Sequence, residues 1–344
     1  MTPRTVVVEA LRAAYGDSIL VTCSLGNGEW RLLVDTGTDE CWPSLKERLQ
    51  RIPPGEGGKR HIDLVVICHI DHDHIGAAHA LFYDQSLGLS FGDIWFNAPT
   101  QTALRADLPW NKAWGRQHAV VGVDQPFVEL PYEEGRPRIT LLSPTPKELA
   151  KLFKVWDAEL KKLGKESVPV KRPAVARGLG VMDLVAMAGY ANPLDHAPAN
   201  GSSIAFLLEH GGHSLLLSAD AYAPVLVGAL TALAAHRGVS LPWQFDVFKL
   251  SHHGSSANIT VDLFRAVQAQ HYIVSPNGAI FGHPDDEAIA TAVVGGGAQR
   301  TFSFNDRNDH TEKWNAPELR ECYGYSVSLP ERAEDTVLIT VGAH

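Results

Sequence analysis

The sequence predicts an α/β fold of layered sheets and helices, and two observations predict it. Short apolar runs rich in β-branched residues alternate with helix-forming stretches along the 344 residues. Five of these runs lead directly into polar or ionisable residues: Asp35, the stretch His69–His74, Asp220, the pair His252 and His253, and the stretch Asn277 to His283. In layered α/β folds, ligand-binding groups collect on loops at one edge of the sheets. Five such loops are therefore placed to meet at one site.

The first third is rich in strands. Val6–Val8, Ser18–Cys23 and Trp30–Asp35 are β-rich runs, with Gly26-Asn27-Gly28 as a hairpin turn between the last two. Leu45–Ile52 reads as a helix cut by Pro53-Pro54-Gly55, and 56–60 as a polar loop. Leu64–Cys68 is a buried strand and Ile94–Phe96 another. Between about 97 and 200 the pattern changes. It suggests a helix near 101–118, a strand at Ile139–Leu142, a charged helix from Pro146 to Leu163, and a Pro/Gly/Ala/Arg-rich irregular tract from Gly164 to Asn200. Ser203–Glu209 and Ser214–Ser218 form a hairpin about Gly211-Gly212, ending in Asp220. A helix near 224–237, a strand at Phe245–Leu250, a helix at about 260–269, a strand at Tyr272–Ser275, a helix from Asp285 to about Val294 and a last strand at Thr336–Val341 complete the reading. One domain over 1–344, with an insertion or cover segment at about 97–200, is expected.

Composition narrows the class. The chain is 45% hydrophobic with a net charge of −9, which offers no general polyanion-binding surface. Four cysteines lack CxxC spacing, which excludes a Cys-type zinc ribbon and fits a reducing compartment. The N-terminus lacks a signal peptide's apolar segment, and no run approaches the roughly 20 apolar residues of a membrane span. A cytoplasmic protein with no membrane association is expected; protein partners are not read from the sequence.

Residues 69–74 read His-Ile-Asp-His-Asp-His, where a buried strand ends and a helix begins. Side chains at i and i+2 of a strand end share a side, so His69 and Asp71 can face one ion. Asp73 and His74, at the helix start, can turn toward a second. So many ionisable groups against an apolar strand point to a metal that neutralises them. His72 alternates away and is expected outside the ligand set. His79 is expected at the core or surface, and Asp35 as a hydrogen-bonding support for ligands. The basic patch Lys171, Arg172 and Arg177 reads as a solvated loop, with phosphate contact as the sharper alternative. Trp110 and Trp114 read as core packing.

The ordered motifs His-x-Asp-x-Asp-His, a hairpin ending in Asp220, Ser251-His252-His253-Gly254-Ser255 and Gly282-His283-Pro284 resemble the metallo-β-lactamase fold superfamily. Within it they are most similar to the branch holding the C-terminal domain of the bacterial competence DNA-uptake channel protein and its stand-alone relatives. Tyr15 to Leu20, Leu33 to Gly37 and Asn200 to Glu209 fit that branch's pattern. The resemblance implies a four-layer αββα sandwich and two divalent ions, Zn or Mn. His69 and Asp71 would bind the first ion, Asp73, His74 and His252 the second, and Asp220 both. Asp71 stands where most members have His, and His196 or Asn200 occupies the stretch of a usual third histidine. The extra carboxylate makes the site harder, which favours Mn as a competitor to Zn.

Two ions about 3.5–4 Å apart lower the pKa of a bridging water and stabilise a leaving oxygen. Asp73 could also orient the attacking hydroxide. His283, at a helix N-terminus, is placed to contact a phosphate or developing anion. His253 is either a proton donor to the leaving group or the ligand in place of His252. The expected function is a metal-dependent hydrolase, foremost a phosphodiesterase or nuclease acting on a short nucleic acid or nucleotide. The alternatives are an ester, lactone or phosphorylcholine-type hydrolase, and a low-turnover metal-containing component of a multi-protein, defence-type system.

Overall fold

The computed structural model describes residues 4–99, 107–162, 183–190, 192–275, 278, 282–332 and 335–342. Its strands are β1 Val6–Ala10, β2 Ile19–Ser24, β3 Glu29–Val34, β4 Arg60–Val66, β5 Leu89–Trp95, β6 Val128–Glu129, β7 Arg138–Ser143, β8 Ala205–His210, β9 His213–Leu217, β10 Trp243–Lys249, β11 Val267–Val274, β12 Arg300–Phe304, β13 Tyr325–Ser328 and β14 Val337–Val341. The helices are α1 Trp42–Gln50, α2 His72–Ile75, α3 Ala78–Tyr83, α4 Pro146–Leu160, α5 Asp183–Ala188, α6 Pro198–Gly201, α7 Ala223–Arg237, α8 Val261–Ala266, α9 Asp286–Gly295, α10 Asp309–Glu312 and α11 Pro317–Tyr323.

Two mixed sheets result. The first runs β14-β1-β2-β3-β4-β5 and the second β13-β12-β11-β10-β9-β8-β7-β6. Successive side chains of a strand point to opposite faces, and here both faces are buried, which explains the unbroken apolar runs. Val21, Leu32 and Val66 of the first sheet meet Phe206, Leu215 and Val247 of the second in a core between the sheets. Their neighbours Leu20, Leu33 and Val65 point the other way, against Leu45 and Leu49 of α1 and Leu81 of α3. On the far face of the second sheet, Leu207, Phe248 and Phe302 pack on Leu226 of α7, Phe264 of α8 and Ile289 of α9. The layers are therefore αββα, as the resemblance implies. Each such leucine or phenylalanine contributes roughly 1.5–3 kcal/mol of burial.

Strand direction places the loops. β3 and β4 are parallel, as are β9, β10 and β11. The segments after all five strands thus emerge at one edge of the sandwich. β2 and β8 run antiparallel to β3 and β9, so the residues before them reach the same edge.

The structure differs from the sequence reading in several places. Residues 107–118 form no helix: Trp110 makes an isolated bridge with Ile94, and Lys112–Trp114 is a single 3-10 turn. Asn111, at φ 41°, breaks any helical path there, and its side chain satisfies the Phe96 backbone instead. Trp110 is a core residue as expected, whereas Trp114 is only half-buried and packs against the core on the opposite face of the first sheet. Within the tract expected to be irregular, α5 packs Leu184 and Ala188 into the core of α7 to α9. The helix expected to 269 stops at Ala266, where β11 begins. β6, β12, β13, α10 and α11 were not read from the sequence. Within 97–200, β6 and β7 join the second sheet, so these residues form part of the sandwich itself. Lys171, Arg172, Arg177 and Asn277 lie outside the described residues. Among the described residues, no helix is long and apolar enough to cross a membrane.

Candidate metal centre

Residues that follow parallel strands and residues that precede antiparallel ones converge at the shared edge. After β4 the chain turns through Ile67 to Asp71 into the single-turn helix α2, which buries Asp73 and His74. Asp35 follows β3 at φ 59°, and accepts hydrogen bonds from the Cys68 N–H (2.7 Å) and from His74 Nδ1 (2.8 Å). That second bond fixes the His74 tautomer and turns Nε2 toward the second sheet.

His252 and His253 follow β10 in a tight turn. Both have left-handed backbones, with φ 46° and 54°. Such conformations cost roughly 1–3 kcal/mol each in non-glycine residues and persist only where packing imposes them. They aim the two rings in different directions. His253 Nε2 lies 3.0 Å from Asp73 Oδ2, 3.2 Å from His74 Nε2 and 3.8 Å from Asp220 Oδ2. His252 Nε2 lies 3.7 Å from Asp220 Oδ2, while its Nδ1 meets Asn258 Oδ1 at 2.8 Å and Asp195 Oδ2 at 3.4 Å. His253, not His252, thus joins Asp73 and His74. His69 Nε2 lies 3.6 Å from Asp71 Oδ2 and 3.8 Å from Asp220 Oδ2, leaving Asp220 between the groups.

Asp17 was missed by the sequence reading. It precedes β2, whereas the motifs that point to the other ligands follow strands. It reaches the cluster because Gly16 lacks a Cβ, which would overlap the Asp73 carbonyl, and the Asp17 N–H donates to that carbonyl at 3.1 Å. Asp17 contacts His253 Nδ1 at 3.3 Å and forms a salt bridge with Lys249, a fully buried residue of β10. This pair ties the two sheets together directly beneath the histidines.

The electrostatics follow from this crowding. Burial opposes charge on every group, but mutual pairing wins. Lys249, then His253 and His74, hold the Asp17 carboxyl far below the usual range. His74 and His253 bring Asp73 down to about 2, and His74 with His252 drives Asp220 well below its usual value. Conversely, Asp220 and Asp35 raise His74 well above an ordinary imidazole, Asp220 and Asp195 raise His252 to about 9, and Asp17 and Asp220 raise His253.

The donor set fits a metal ion. One donor atom each from Asp17, His74, Asp220 and His253 lies within 4.8 Å of the others. Among the described residues, the buried atoms His69 Nε2 and Asp220 Oδ1 have no hydrogen-bond partner. The Nδ1 side of the histidines already has a cation, Lys249. The Nε2 side sets His74 and His253 against the carboxylates of Asp73 and Asp220, and among the described residues no lysine or arginine pairs with either carboxylate. Asp17 therefore braces the imidazoles, and the Nε2 side is where a divalent ion finds imidazole and carboxylate ligands.

Other sequence candidates fall outside this cluster. His72 bonds Tyr15 Oη at 3.1 Å and approaches Asp39 at 3.2 Å. His79 is exposed and stacks on Tyr83. His196 is exposed beside Tyr222, whereas Asn200 donates to Asp195 at 2.8 Å, behind His252. His283 lies at the rim, its ring centroid 5.3 Å from that of His252 and its Nδ1 3.2 Å from Asp285. Burial, against the pull of Asp285, lowers its pKa.

No family model and no curated protein matches the chain. Among solved structures it is similar to the metallo-β-lactamase fold protein YhfI from Bacillus subtilis, at 11% identity over 98% of this chain and 99% of that one, with a TM-score of 0.47. It is also similar to a protein assigned as a metal-dependent hydrolase from Parabacteroides distasonis (11% identity, 93% and 91% covered, TM-score 0.38). A third is CmlA, a diiron β-hydroxylase from Streptomyces venezuelae (12% identity, 99% and 55% covered, TM-score 0.38).

Proposed function

We propose that the protein is a metal-dependent hydrolase of phosphodiester bonds. One observation carries this reading: His74 Nε2, His253 Nε2, Asp73 and Asp220 face one another with no lysine or arginine paired to them among the described residues, while the Nδ1 atoms of His74 and His253 are braced by Asp35 and Asp17. Asp73, His74, His253 and Asp220 would hold one divalent ion, Zn or Mn. His69, Asp71 and His252 would hold a second alongside Asp220. Bound there, the metal supplies an acidic water and a Lewis acid for the substrate oxygen.

The chain's own groups do the rest. Asp73 and Asp220, ionised at neutral pH, accept protons and orient the nucleophile. Asp195 and Asn258 fix the His252 ring. His283 stands at the rim with Asp285 behind Nδ1; a proton taken at Nε2 is stabilised by that carboxylate and passes to the leaving oxygen. The His252 and His283 rings stand side by side at the edge of the cluster, which suits a phosphate more than a plain ester.

The test is a substrate panel with Zn-loaded and Mn-loaded protein: bis-p-nitrophenyl phosphate, oligonucleotides, cyclic dinucleotides, phosphorylcholine esters and lactones. Turnover of bis-p-nitrophenyl phosphate is expected, and Asp73→Ala with His74→Ala should abolish it while the circular dichroism spectrum is retained. Turnover confined to esters or lactones, or full activity in metal-free protein, would remove this reading.

A further inference from the structure

Lysine is scarce in this acidic chain, with twelve residues in all, and five of them fall at 147, 151, 154, 161 and 162. All five belong to α4 and the two residues that follow it. At about 100° per residue, Lys147, Lys151, Lys154 and Lys161 fall within an arc of about 80° on one helix face, with Lys162 alongside. Lys147, Lys154, Lys161 and Lys162 are exposed and Lys151 is half-exposed. Lys151 approaches Glu148 at 3.7 Å and Lys162 pairs with Glu159 at 2.7 Å. Lys147, Lys154 and Lys161 have no carboxylate partner among the described residues.

The opposite face anchors the helix to the metal loop. Leu152 packs with Ile70 and Ala199, with Trp156 against them, and Ile70 sits between His69 and Asp71. The ridge therefore runs about one helix diameter, 10–12 Å, from the loop that carries the first ligands. A solvated helix face needs no such concentration of one sign in a chain of net charge −9.

We propose that this ridge is an exosite for the phosphate backbone of a single-stranded nucleic acid, holding the strand beside the metal loop. The proposal rests on the phosphodiester reading above. A single strand is favoured because the reacting groups are recessed: the side chains of Asp73 and His252 are 11% and 22% exposed. A flexible strand reaches them, and a stiff duplex, with a persistence length of about 150 base pairs, does not.

The test uses the metal-loaded full-length protein and the charge-reversal variant Lys147→Glu/Lys154→Glu/Lys161→Glu. Anisotropy of a fluorescein-labelled oligothymidylate, with chelator present so that the strand stays intact, reads binding across a salt series, and turnover is read on the metal-loaded proteins. Three phosphate contacts predict a slope of log affinity against log salt near −2 from these lysines alone. The reversal should weaken binding about tenfold or more at low salt, flatten the slope by about that amount, and leave turnover of bis-p-nitrophenyl phosphate unchanged. Unaltered binding in the triple variant overturns the exosite, as does competition by duplex DNA or polyglutamate equal to that by the single strand. Salt-dependent oligothymidylate binding that the reversal abolishes supports the ridge even where wild-type protein fails to turn over bis-p-nitrophenyl phosphate; that failure counts against the hydrolase reading.

Discussion

The two halves of the histidine–aspartate cluster are built differently. Asp73, His74 and His253 are buried, and the two rings are braced on their far sides by Asp35, Asp17 and Lys249. On the other side, Asp71 is 37% and His252 22% exposed at the side chain, and His69 is braced by a single hydroxyl, Ser203 Oγ at 3.3 Å. Burial is deepest where Asp17 and Lys249 back the rings, and exposure is greatest at Asp71 and His252. A pre-set half can hold an ion tightly while the open half admits substrate.

The largest expected effect tests that contrast. His253→Ala should lower metal affinity by more than the 10–100-fold typical of losing an outer partner, and His252→Ala by less. Metal content after dialysis against a chelator, measured by elemental analysis, reads both; equal losses would erase the distinction between the halves.

Next comes the inter-sheet brace. Lys249→Met strips Asp17 of its cation and leaves a buried carboxylate, which should cost about 3–5 kcal/mol in denaturant unfolding of the metal-free protein. Adding Asp17→Asn to that variant should recover much of the loss, because the orphaned charge is gone. A double variant as unstable as their sum would mean that the pair does not act as a unit.

The smallest effect is on pH. His74, His252 and His253 have raised pKa values, with His252 at about 9, so the metal-free protein holds protons that an ion must displace. Metal affinity should therefore fall as pH drops below 9, with proton release visible by calorimetry in buffers of different ionisation enthalpy. For the metal-free fold, the stabilisation from these imidazolium groups is complete below the unfolded histidine value near 6.5 and fades as pH rises through about 9. Metal-independent stability that is flat from pH 6 to 10 would contradict this.

The motifs were legible because each couples an apolar strand to a polar loop, a pattern local in sequence. His69 to His74, Asp220 and the undivided pair His252 and His253 needed only that rule. Asp17 did not follow it, since it precedes an antiparallel strand and its role depends on Gly16 passing under Asp73. The helix expected near 101–118 is absent from its described part, 107–118, where Asn111 takes a left-handed backbone, and the strands β12 and β13 were hidden by short runs without a motif. α5 was hidden in a low-periodicity tract whose apolar residues find their partners in the core formed with α7 to α9.

The sequence by itself determined the α/β class, the order of the strand-end motifs and the kinds of donor atom available, because hydrophobic period and residue chemistry are local properties. The tertiary structure decided how the adjacent pair His252 and His253 divides. Two successive left-handed residues send one ring to Asp73 and His74 and the other to Asp220 and Asp195, and only the packing of β10 against both sheets holds that turn. It also decided that Lys249, a charged residue in a buried strand, is sustained by an aspartate more than two hundred positions away. Pairings of that separation arise when strands meet in space, and no local pattern encodes them.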